Sequence, residues 1–265
     1  MLVFVGLGHM SATRRNATRD AFVNTAWQEV TTTLRPRRDS RDGPLPPLLL
    51  TLTVVTGLVD ATSYLKLGHV FVANMTGNVV FLGFGIAGAG GISVGASLTA
   101  LGSFLVGGVG GGRIGARWSS DRGRQLTVTA STELLLVTGA LVIAALSGHQ
   151  IGTASRFAVI VLLAIAMGIQ NAAARRLAVA DLTTTVLTMT LTGIAADGAL
   201  AGGRGSKFGR RALSVAAMLL GALIGGLLVL KVDNAASLAV AAGLLAMVSL
   251  FAYRTSRSTS AWAAA

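Results

Sequence analysis

Seven polar residues stand inside long apolar stretches, and their types suit the binding of a small solute or ion. Asp60 lies late in the run LLLTLTVVTGLVDATSYL. An acid within a membrane span costs about 2.5–3.5 kcal/mol on insertion scales, so it faces the bundle interior or water. There it binds a cation or carries a proton, or else it sits at an interface beside Lys66 or His69. Asn171 follows 111 residues later, with Gln170 beside it. Amides in spans either serve a site or bond neighbouring helices, at about 0.6 kcal/mol each. Asn74, Thr76 and Asn78 surround Gly77, a residue that permits an unusual turn. Their amide and hydroxyl groups could ligate a solute or satisfy backbone freed by that turn. Thr188 and its neighbour Thr190 carry the same reading, against bonding back to the i−4 carbonyl.

Other chemistry finds little support. The chain has no Cys, so disulfides, thiolate metal sites and thiol catalysis are excluded. His9, His69 and His149 are isolated and offer no metal-ligand spacing. No Ser–His–acid or HExxH pattern is present. Gly110 to Gly115 fits GxGxxG, but no strand precedes it and no βαβ unit surrounds it. No enzyme, cofactor or metal is expected. Glu133 lies in the apolar run 126–147 and is expected to reach Arg122 or Arg124, with a proton-relay role as the alternative. Asp181 and Asp197 are expected to pair with Arg175, Arg176 or Arg204.

The elements that must hold these residues are membrane helices. Of the 265 residues 52% are apolar and 12% charged, with mean hydropathy +0.70. A soluble domain carries about 25% charge. Apolar stretches cover about 48–65, 69–90, 94–112, 126–147, 157–174, 182–200, 212–230 and 236–253. The pI near 11.7 suggests nucleic acid only superficially, because the arginines lie between apolar runs and form no basic face. Positive-inside loops explain them, and no nucleic-acid partner is expected.

The charges also set the number of crossings. The basic residues group before residue 44, at Arg113–Arg124, at Arg175/Arg176, at Arg204–Arg211 and at Arg254/Arg257. Only Lys66, Arg156 and Lys231, of 22, fall elsewhere. Eight alternating spans would put two basic clusters outside. If 69–90 and 182–200 enter and leave on one side, six spans remain and all the clusters are cytosolic. Those two stretches are also the most polar, one holding Asn74 to Asn78, the other Thr183, Thr184, Thr185, Thr188, Thr190 and Thr192. Irregular backbone at membrane depth survives only where protein or a wet cavity surrounds it.

The halves resemble each other. Gly57-Leu-Val-Asp60-Ala61 matches Gly168-Ile-Gln-Asn171-Ala172 at an offset of 111. Met75-Thr76-Gly77-Asn78 matches Leu187-Thr188-Met189-Thr190 at 112, and Phe104 to Gly111 matches Leu219 to Gly226 at 115. Each half holds three spans and one odd segment, so the second half must be inverted. Inverted repeats with short or broken segments at matching positions point to a transporter-like site near the midplane. Gly107/Gly111, Gly108/Gly112 and Gly221/Gly225 have the spacing that lets helices approach closely.

The stretches Thr56-Gly-Leu-Val-Asp60-Ala-Thr-Ser-Tyr64-Leu and Val70-Phe-Val-Ala-Asn74-Met-Thr76-Gly77-Asn78 resemble the opening signature of the YoaK-type bacterial membrane proteins. Ala166-Met-Gly168-Ile-Gln170-Asn171-Ala-Ala-Ala-Arg175 and Asp181-Leu-Thr-Thr-Thr-Val-Leu-Thr188 resemble the two later signatures. The likeness covers about 45–255. One departure is Met189-Thr190, where the family pattern would have Thr-Gly. The resemblance implies an inner-membrane protein of about six helices and implies no substrate.

The expected architecture is all-α: a polytopic helical membrane protein with about six spanning helices and two re-entrant or broken segments, as two inverted repeats. Residues 1–44 are expected to be a mobile cytosolic tail. Met1 to Met10 is apolar but lacks the basic region and cleavage site of a signal peptide. Residues 45–253 form the membrane domain, with halves at about 45–148 and 156–253, and 254–265 form a second cytosolic tail. The bilayer is the expected partner, with a small solute or ion bound by Asp60, Asn74, Thr76, Asn78, Gln170, Asn171 and Thr188. A non-transporting assembly or sensory component is the rival. The sequence does not give an oligomeric state.

Overall fold

A computed structural model of the chain describes residues 12–36, 40–148, 151–179, 182, 187–198, 201 and 207–256. His9, His149, Asp181, Thr183, Thr184, Thr185, Arg204 and Arg257 lie outside the described residues, as do residues 1–11. Among the described residues the chain forms nine helices and no strand.

Six helices are long and apolar enough to cross a membrane: α2 (Leu45–Lys66), α4 (Val94–Arg117), α5 (Arg122–Leu146), α6 (Thr153–Leu177), α8 (Phe208–Lys231) and α9 (Ala236–Ser256). Two are short: α3 (Met75–Ile86) and α7 (Leu187–Ala196). At 1.5 Å per residue these reach only about 18 and 15 Å, against a hydrocarbon core of about 30 Å. The described helices within the two polar stretches demoted by the charge pattern are therefore too short to cross. Large apolar side chains such as Leu105, Val109, Leu135, Leu219, Leu223 and Leu230 point outward, as a lipid-facing surface requires. The chain is a polytopic helical membrane protein.

α2 and α6 are the two most enclosed helices. Pro46 and Pro47 sit in the first turn of α2, where the missing N–H costs nothing. Beyond them no proline interrupts the chain. The hydroxyls of Thr53, Thr56 and Thr62 donate to the carbonyls of Leu49, Leu52 and Leu58, which lets an apolar interior hold them.

The close packing is made by glycine, and it occurs twice. On α2, a Cβ at Gly57 would lie 2.6 Å from Met218 O and Ala222 N of α8. On α6, a Cβ at Gly168 would meet Phe104 O and Gly108 N of α4. In return Gly221 abuts Val54 O, and Gly107 abuts Ile165 O. Gly225 abuts Leu58 and Ala61, and Gly111 abuts Ile169 and Ala172. The α2 residues map to α6 at an offset of 111, and the α4 residues map to α8 at 114. The expected offset of 115 is thus one residue too long. A glycine-rich run slides against another with little change in apparent match, and the contacts with Val54 and Ile165 fix the register. Gly108 and Gly112, also expected to pack, have open space where a Cβ would go. The α2/α8 and α4/α6 pairs are each parallel, since contacts advance together along both chains.

The two ends of the bundle are tied differently. At one end Arg122 donates to Arg41 O at 3.0 Å and Leu177 O at 2.8 Å, and faces Asp42 at 3.6 Å. At the other, Asn234 Nδ2 donates to Gly148 O at 2.9 Å. Arg113, Arg117, Arg124, Arg175, Arg176, Lys207, Arg210, Arg211 and Arg254 all fall at helix ends on the Arg122 side. Lys66, Arg156 and Lys231 fall at helix ends on the other.

Residues 12–34 form the helix α1 (Ala12–Leu34). The stretch has no Gly or Pro until Pro36, so its charged and Thr-rich composition does not prevent a helix. Glu29 Oε2 accepts from Gly209 N at 2.8 Å, which places an acid on the N-terminus of α8.

Candidate functional site

The segment between α2 and α3 turns back into the bundle. Gly68 and His69 adopt positive φ, +95° and +54°, and reverse the chain just after α2. Tyr64 stacks on Phe71 at 5.1 Å between ring centres, and Phe71 stacks on Phe81 at 5.8 Å. These rings fill the reversal.

Residues 71–73 then lie against Asp60 of the spanning helix α2 without helical bonds of their own. Unpaired N–H groups there cost several kcal/mol each. Two side chains answer them. Asp60 Oδ1 accepts from Val72 N at 3.0 Å and Ala73 N at 2.9 Å. Asn78 Oδ1 accepts from Phe71 N at 2.9 Å, while Asn78 Nδ2 donates to Phe71 O. Asp60 therefore takes backbone partners, not Lys66 or His69.

Asp60 Oδ2 has no partner, although the residue is only 4% exposed. It borders a cavity of about 690 Å³. Asn74, Thr76 and Gly77 from the start of α3 border it as well, and so does Thr188 from the start of α7. Phe81, Phe104 and Met218 give it apolar walls. The lining draws on matched positions of both halves: Met75 with Leu187, Thr76 with Thr188, and Phe104 with Met218. Asn74 precedes the first turn of α3, and no side chain caps that turn.

Four of the seven candidate residues, Asp60, Asn74, Thr76 and Thr188, meet on this cavity. The other three do not. Asn78 is fully buried behind the wall and holds Phe71. Gln170 is buried between α6 and α2, where Nε2 donates to Thr56 Oγ1 at 2.8 Å and its Oε1 has no partner. Asn171 Nδ2 donates to Met167 O at 2.8 Å, the i−4 carbonyl. Phe81, Phe104 and Met218 escaped the sequence reading, because apolar residues in apolar runs give no signal.

Two acids depart from their expected partners. Glu133 is fully buried and both of its carboxyl oxygens lack a partner. Arg124 instead faces Asp121 at 3.4 Å, and Arg122 faces Asp42. Glu133 lies about eleven residues into α5, on the side facing α6 and α9, beyond the reach of arginines at the helix start. Asp197 pairs with Arg211 at 2.7 Å, because the end of α7 meets the first turn of α8.

Comparison with known proteins gives a family without an assigned activity. The UPF0700 transmembrane protein YoaK of Bacillus subtilis (strain 168) is 38% identical over 152 residues, or 57% of this chain. The match spans 65% of that relative's own length. No solved structure matches the chain. Residues 48–251 match the family described as Protein of unknown function (DUF1275), a range that runs from the first turn of α2 into the later part of α9. The chain therefore belongs to the DUF1275 family of membrane proteins.

Proposed function

We propose that the chain is a transporter of a small solute or ion, which binds in the cavity between α3 and α7. The observation that carries this reading is Asp60, with one carboxyl oxygen buried and unpartnered, in the wall of a cavity bordered by both halves of the chain. A cavity of this size, mostly apolar with a few polar groups, is the usual form of a small-molecule site. The matched glycine contacts support reading the halves as inverted repeats, with α3 and α7 dipping in from opposite sides. The arginine-rich end faces the cytoplasm of a bacterial inner membrane on this reading, which places both chain ends there.

Proteoliposomes loaded with labelled amino acids, amines or monovalent cations test it. Flux above protein-free liposomes is expected for one class, and Asp60→Asn is expected to remove it. Absence of flux for every class, or undiminished flux in Asp60→Asn, contradicts the proposal.

A further inference from the structure

We infer that the cavity takes a zwitterion with adjacent opposite charges, of the α-amino-acid type, with its ammonium on Asp60 and its carboxylate on the start of α3. The inference rests on the solute-site reading above and specifies its substrate class.

Among the described residues that line the cavity, Asp60 is the single formally charged one. One of its oxygens is held by Val72 N and Ala73 N, and the other is free and buried. An ammonium group supplies the missing donor and the missing charge. A plain cation would satisfy Asp60 alone, but the cavity has a second electrostatic feature. The first turn of α3, Met75 to Gly77, borders it with no side-chain cap. A helix start carries orphan N–H donors and about half a positive charge. Leu187 and Thr188, the first described residues of α7, border the same space. A cation would meet the positive end of α3, and an anion would meet Asp60. A zwitterion satisfies both, with the Thr76 and Thr188 hydroxyls close to its carboxylate.

The spacing limits the separation of the charges. Ala73 bonds Asp60, and α3 begins two residues later at Met75. Two residues span at most about 7 Å. Charges on neighbouring carbons fit that distance, and charges at the ends of a long chain do not. Phe81, Phe104 and Met218 offer the body of the solute an apolar surface.

Calorimetric titration of the purified full chain in detergent tests this with two sets of probes. One set is L-phenylalanine, phenethylamine and 3-phenylpropionate; the other is L-leucine, isopentylamine and 4-methylpentanoate. The amino acid of at least one set is expected to bind about tenfold or more tighter than its amine and its acid, each of which lacks one charge. Asp60→Asn is expected to weaken the amino acid and erase its advantage over the acid. Asn74→Asp, which puts a carboxylate at the start of α3, is expected to weaken the amino acid and strengthen the amine. Equal or tighter binding of an amine or an acid to the unaltered chain overturns the zwitterion while leaving a solute site in place. Binding of none of the six overturns it too, and the absence of flux in liposomes would then remove the solute site as well.

Discussion

Asp60 Oδ1 and the N–H of Ala73 are joined by a 2.9 Å hydrogen bond that fastens a crossing helix to a segment that does not cross. The same oxygen holds Val72 N, and this division of labour separates two functions within one carboxyl group. Oδ1 supports the fold, and Oδ2 is left without a partner in a carboxyl group that lines the cavity. Asp60→Asn keeps an acceptor at Oδ1, so its melting temperature in detergent should stay close to that of the parent while solute binding is lost. Asp60→Leu orphans two buried N–H groups, at about 1–3 kcal/mol each, and should melt well below Asp60→Asn. Equal melting of the two variants would show that the bonds to residues 72 and 73 do not hold the segment.

Asn78 makes a reciprocal pair with the backbone of Phe71. Asn78→Leu should leave the cavity charge untouched and loosen residues 71–73. Hydrogen exchange of those amides should speed up by about tenfold or more, as expected for the loss of about 1–3 kcal/mol of local protection. Unchanged exchange there would contradict the role given to this amide.

The glycines divide into two groups with opposite expectations. Gly107→Val and Gly221→Val drive a side chain into the carbonyls of Ile165 and Val54, and both should destabilise by about 1–3 kcal/mol or more. Gly108→Ala and Gly112→Ala meet open space and should be neutral or stabilising by up to about 1 kcal/mol. Thermal unfolding of the four variants checks the sorting. Similar losses at Gly108 and Gly107 would contradict the helix faces described.

Glu133 is buried in α5 with neither oxygen partnered. A buried polar group without a partner costs about 1–3 kcal/mol in folded proteins. Glu133→Met fills similar space without that cost and should raise the melting temperature. A fall would show that the carboxyl is held by an interaction absent from the described contacts.

The sequence made the fold legible through charge more than through hydropathy. Eight apolar stretches exist, and the grouping of arginines, together with the polar residues of 69–90 and 182–200, distinguishes these two from the other six. The cavity was partly legible, because Asp60, Asn74, Thr76 and Thr188 are polar where polarity is costly. Asn78 shows the limit. An amide that binds a solute and one that satisfies freed backbone look alike until the backbone position of Phe71 is known. Phe104 and Met218 had no signal, since apolar residues facing a cavity and apolar residues facing lipid read the same. α1 was missed because charged, Thr-rich sequence suggests a tail by composition, although docking of Glu29 onto α8 favours the helix.

The re-entry of α3 is the feature on which the cavity depends, and cysteine labelling of intact membrane vesicles tests it most directly. The chain has no cysteine of its own, so single probes at Lys66, Gly90 and Ser120 report without background. Lys66→Cys and Gly90→Cys should react with an impermeant maleimide from one side, and Ser120→Cys from the opposite side. Labelling of Gly90→Cys from the side of Ser120→Cys would mean that α3 crosses the bilayer, and the inverted halves with their shared cavity would not exist.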